Sequence, residues 1–171
     1  MGKFGFGSHE ATAEEKSESR REMEAAIGFY IAGAEVGHAD GNFDERERKT
    51  LSEHMMAIAA NSKSRFVADA ALICARWEEM RDAYNQEKRS HRDRLNDLGK
   101  LLQKLPKEDK YRYIVAFVST TRIVGDASGG GWFTNEKFSE EEKRIALAMW
   151  NSLFDQSDLE DSISWVRQYG K

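Results

Sequence analysis

The sequence predicts an all-α fold, a helical bundle of about six to seven helices, and three observations carry that expectation. Pro106 is the only proline and the glycines gather at a few points, so long stretches run without breakers. Apolar residues recur at spacings of three and four through most of the chain. No segment sustains the period-two alternation of a half-buried strand.

The first helix is expected from about Glu14 to His38, with Met23, Ile27, Tyr30, Ile31 and Ala34 on its core stripe. Ala32, Gly33, Ala34 and Gly37 are small there, which lets another helix approach closely. Asp40-Gly41-Asn42 then breaks the helix. Asp44 opens the second helix as its N-cap, and Glu47 three residues on completes a capping box. Leu51, Met55 and Ile58 continue on one face. A third helix begins near Ser64 and buries Phe66, Ala70, Ile73, Trp77 and Tyr84. From Asn85 to Arg94 the chain is almost wholly polar, either an exposed loop or a charged stretch of helix. Leu95, Leu98, Leu102 and Leu105 resume the stripe until Pro106 stops it. Asp109 to Gly125 is helical again, with Tyr113, Phe117, Thr121 and Val124 on one side. Ser139 caps the next helix in a box with Glu142, and Ile145, Met149 and Leu153 mark its buried side with Trp150 beside them. A short last helix, from about Leu159 to Tyr169, lays Ile163 and Val166 onto the body.

A length of 171 residues suits one domain whose core needs no metal or disulfide staple. Residues 1–19 are expected to form a flexible leader ahead of a single domain over 20–171. Phe4 and Phe6 lie among glycines in that leader, which reads either as a disordered tail or as a Phe-bearing anchor. The formal net charge is −4, which argues against a general nucleic-acid binder. Cys74 is alone in an apolar run, which excludes a disulfide framework, fits a reducing cytosolic setting, and reads as a buried structural thiol. No apolar stretch approaches the roughly 18 residues of a membrane span, and no secretory h-region is present. The expectation is a soluble, cytoplasmic protein.

Two stretches resemble one another. The first reads Ala39-Asp40-Gly41, then Phe43, the cap Asp44, and Glu45-Arg46-Glu47. The second reads Ala127-Ser128-Gly129, then Phe138, the cap Ser139, and Glu140-Glu141-Glu142, with a seven-residue insertion between Gly and Phe. Downstream, Leu51, Met55 and Ile58 fall opposite Ala146, Trp150 and Leu153 at a constant offset. The reading is a duplicated helix–loop–helix unit with a pseudo-twofold, its halves about 20–60 and 109–155, linked by 64–105. In each copy the Phe beside the N-cap is placed to staple onto the following helix.

The Ala-Asp-Gly-x-Phe-Asp-x-x-Glu pattern between two helices, occurring twice, resembles the TerB-like family of bacterial tellurite-resistance operons, relatives of the N-terminal domain of some DnaJ-type co-chaperones. The second copy departs from the pattern, with Ser128 in place of the Asp and a Gly-rich insertion after it. The resemblance covers about residues 20–155. It implies a cytoplasmic all-α bundle with an acidic surface, belonging to a stress-response assembly of Ter proteins, one of them integral to the membrane. It therefore also admits a peripheral location at the inner membrane face. It attaches no catalysis.

Metal binding is the chemistry to weigh at the acidic loops. His38, Asp40, Asn42 and Asp44 alternate, but counting from Asp40 the sixth position is Glu45 and the twelfth Leu51, so the Gly and bidentate Glu of an EF-hand are missing. A divalent ion then needs the pseudo-twofold to bring Asp126 near Asp40 and Asp44; otherwise Asp44 caps a helix and Asp40 serves the turn. No HExxH, CxxC or GxSxG motif occurs, and no base–nucleophile pair can be named for a hydrolase. Gly129-Gly130-Gly131 has no Lys-Ser or Lys-Thr after it and no strand before it, unlike a phosphate loop. Trp132 and Phe133 in that loop read either as partner contacts or as rings tucked onto the bundle. The basic stretch of Lys88, Arg89, Arg92, Arg94, Lys100, Lys104, Lys107 and Lys110 is either a solvated face or a patch for anionic lipid or an acidic partner.

The sequence thus leads to a non-catalytic interaction module, with Asp40, Asp44, Glu47, Asp126, Trp132 and Phe133 as its partner surface. The alternative is a metal-ion sensor or buffer built on Asp40, Asp44 and Asp126.

Overall fold

The structure, a computed structural model, describes residues 11–40, 43–86, 88–128 and 140–171. Among them are eight α-helices and no strand: α1 (Ala13–Gly37), α2 (Glu45–Asn61), α3 (Arg65–Ala75), α4 (Trp77–Gln86), α5 (His91–Lys104), α6 (Lys107–Ser128), α7 (Glu140–Leu153) and α8 (Gln156–Tyr169). A 3-10 turn, His38–Asp40, follows α1. The fold is an all-α bundle.

Helix starts follow local chemistry. Asp44 and Glu47 form the expected capping box: Glu47 N–H donates to Asp44 Oδ1, and Asp44 N–H to Glu47 Oε2, each at 2.8 Å. Ser64, Ser90 and Asp155 cap α3, α5 and α8 through one side-chain oxygen each. Thr12 and Glu15 make a further capping box, so α1 starts at Ala13, close to the expected Glu14, and takes in residues 13–19 that the domain division had assigned to a flexible leader. The cap expected at Ser139 lies outside the described residues, as do Phe4 and Phe6.

The expected third helix is two helices. The ladder breaks at Arg76 (φ −88°, ψ 60°), because the Ala75 carbonyl is taken by the Ser52 hydroxyl of α2 at 2.9 Å. Trp77 starts α4 with the guanidinium groups of Arg48 and Arg81 at 5.0 and 5.3 Å from its ring centre. The polar stretch from Asn85 onward resolves into the end of α4, a link through 88–90, and a new helix from His91.

The two long helices α1 and α6 pack together at the centre. Phe29 stacks on Tyr113 with ring centres 4.5 Å apart, and the Tyr113 hydroxyl donates to the Ala25 carbonyl at 2.7 Å. Gly28 makes this possible, since a Cβ there would collide with Leu98 and the Tyr113 hydroxyl. Leu98, Leu102, Phe117 and Val124 are also fully buried, each worth roughly 1.5–3 kcal/mol relative to exposure. Met23 and Ile163, expected in the core, are each 37 % exposed, while Ser162 takes the buried place beside Val166. Cys74 is completely buried, and burial pushes its thiol pKa far up, as an inert structural cysteine requires.

Around this centre α2 packs on α3 and α6, and α7 on α5 and α1. Val36 and Val124 are both fully buried, and Leu51 and Ala146 likewise. The Phe43 ring seats against Gly37 of α1, near His38 and Tyr30, because the missing Cβ at Gly37 leaves the slot it fills.

Candidate functional site

The acidic loop residues divide by position. Asp44 is exposed, but its Oδ1 holds the Glu47 amide, so one carboxylate oxygen is already engaged in capping. Glu47, expected on the partner surface, is 1 % exposed and belongs to the interior, since its carboxylate closes the capping box from beneath. Glu142, in the first turn of α7, is 3 % exposed. Asp126 is exposed on the last turns of α6. Asp40 ends the 3-10 turn. Its side chain, with Gly41, Asn42, the Gly129–Gly131 run, Trp132 and Phe133, lies outside the described residues. Among the described residues no group of three or more His, Cys, Asp or Glu side chains is placed to hold a metal ion.

Both acidic helix starts carry cations within a turn, Arg46 on α2 being exposed. On α7, Lys143 pairs with Glu140 at 2.9 Å and Arg144 with Glu141, one turn on in each case. The Arg144 hydrogen bond lowers the Glu141 pKa. On α2 the exposed Asp44 and Glu45 lie in the first turn, where the helix dipole favours negative charge.

The basic stretch does not form one patch. Arg94 is 1 % exposed and lies over the Tyr84 ring. Arg89 bridges Glu24 at 3.0 Å and Asp97 at 2.8 Å, and Lys110 bonds Asp158 at 3.0 Å. Lys88, Arg92, Lys100, Lys104 and Lys107 stay exposed. Near α5, His91 contacts Glu35; burial raises the Glu35 pKa and lowers that of His91.

Sequence reasoning missed a cleft of about 350 Å³ walled by α2, α6 and α8. Its apolar walls include Ile58, Val67, Val115, Ile123 and Val166. Its polar groups include His54, Ser119 and Arg112. The Ser119 hydroxyl lies 2.9 Å from the Ala116 carbonyl and 3.1 Å from His54 Nε2, within hydrogen-bonding distance of both. Burial, and then the Lys171 charge, lowers the His54 pKa. Arg112, Val115, Ala116, Ser119 and Ile123 are spaced by three and four along α6, a second stripe visible in the sequence beside the aromatic one.

No helix among the described residues is long and apolar enough to cross a membrane. Compared with known proteins, the chain matches no family model, no curated protein and no solved structure.

Proposed function

We propose that this protein is a non-catalytic interaction module, a TerB-like component of a bacterial stress or tellurite-resistance system that offers acidic helix starts to partner proteins. The observation that supports this reading most is the first connection. There, exposed Asp44 and Glu45 sit on a rigid two-way capping box above the buried Glu47. A surface fixed in that way keeps its charges in register with little ordering left to occur on binding. The start of α7 adds Glu140 and Glu141, paired with Lys143 and Arg144.

The test is a photo-crosslinking residue placed at position 45, and separately at 126, in living cells. A defined protein adduct from these positions, lost when Glu45→Lys and Asp126→Lys reverse the local charge, is the expected result. Adducts indifferent to charge reversal, or formed equally from position 160 on α8, overturn the reading. Repeating the capture with chelator separates a protein surface from a metal-dependent one.

A further inference from the structure

We infer that the cleft between α2, α6 and α8 is a binding site for a small amphiphile with an apolar body and a single carboxylate head. The cleft holds about 350 Å³, within the ~300–1,000 Å³ range of small-molecule sites. Most of its walls are aliphatic, which suits a short hydrocarbon body.

The head group is specified by Arg112. This side chain is 5 % exposed and lines the cleft. Trp165 of α8 covers one face of its guanidinium, with the central carbon 4.7 Å from the ring centre. Nη1 contacts Glu108 one turn back on α6. Glu108 thus engages Nη1, but Nε is buried without a hydrogen-bond acceptor among the described residues. A buried, charged donor left unsatisfied is costly, and an arriving anion would recover that cost through a charge-assisted hydrogen bond. Ser119 and His54 add polar lining, and burial lowers the His54 pKa, which favours its uncharged form.

A carboxylate fits better than a doubly charged head. Glu108 already offsets part of the Arg112 charge, so a second negative charge would meet repulsion from it. A cationic head is excluded by the same guanidinium. Ala57 is exposed at the rim, so the opening can be blocked without disturbing the core.

The site is independent of the acidic helix starts. Its test is titration of the full chain with octanoate, 1-octanol and octyltrimethylammonium, followed by calorimetry and amide chemical shifts. Octanoate should bind one-to-one and saturably, at least about tenfold tighter than octanol, while the ammonium probe does not bind. Arg112→Met should bring octanoate down to the level of octanol. Because removing a buried Arg risks the fold, Ala57→Trp is the second variant; it should abolish binding of both probes with helix content unchanged. Octanoate binding no better than octanol, equal binding of the ammonium probe, or undiminished binding by Ala57→Trp overturns the proposal.

Discussion

Helix α6 has two working faces, and they are built by opposite rules. Toward α1 it presents Tyr113, Phe117, Thr121 and Val124, all completely buried, and the contact is so close that Gly28 is needed to admit Tyr113. Toward α2 and α8 it presents Arg112, Val115, Ala116, Ser119 and Ile123, and there about 350 Å³ stays unfilled. This is a cleft open to solvent at Ala57 and Ile123, so the face is shaped where the seam toward α1 is filled. The first face holds the fold together. The second carries the polar groups that a ligand could use.

That contrast is broken most directly at Gly28. Gly28→Ala adds one methyl group where Leu98 and the Tyr113 hydroxyl already sit, and overpacking of this kind costs about 1–3 kcal/mol. Urea denaturation should show the full loss; a cost near zero would mean that the α1–α6 seam has slack. The next effect belongs to the acidic connection. Asp44→Ala removes the oxygen that accepts the Glu47 amide and should cost about 1 kcal/mol, read from the same denaturation curves. The smallest effect falls on the open face. Ala57→Leu, at the rim of the cleft, should leave stability within about 0.5 kcal/mol of the parent. A loss as large as that of Gly28→Ala would show that the rim is as tightly packed as the seam.

The closed face was legible in the sequence and the open one was not, for a physical reason. Aromatic and branched residues at spacings of three and four have few ways to avoid water other than facing inward, so Tyr113, Phe117 and Val124 announced themselves. The same holds for the Asp44–Glu47 box, whose chemistry is local. Arg112 and Ser119 look like solvent-facing residues, and only the distant Trp165 and His54 reveal that they are covered. The break at Arg76 was equally hidden, since it depends on Ser52 reaching Ala75 from another helix. Glu47 was readable as a cap but not as buried, because burial is set by the packing of α1 around Phe43 and Gly37. The seat of Phe43 against Gly37 was not legible, for lack of any signal that Gly37 leaves a slot.

The open face also sets a pH dependence that the closed face cannot. His54 has a pKa below its ordinary value of 6.5, first because it is buried and then because of the Lys171 charge. In the unfolded chain the imidazole takes up a proton as the pH falls through 6.5; in the folded chain it resists until a lower pH. Above 6.5 both states are neutral there, and the contribution of His54 to stability is fully present. Between 6.5 and the lower folded value the unfolded state binds more protons, so stability falls with falling pH, and below that window it falls no further through this group. His91 acts in the same direction, and Glu35, with its raised pKa, in the opposite one. Both remain in His54→Gln, which keeps a side-chain hydrogen-bonding group for Ser119 and removes only the titration. The variant should therefore show a flatter loss of stability than the parent on acidification from pH 7 to about 5, measured as urea midpoints at matched ionic strength. Parallel curves would mean that water reaches His54 freely, and with it the cleft, whose low-dielectric interior is what keeps the imidazole neutral.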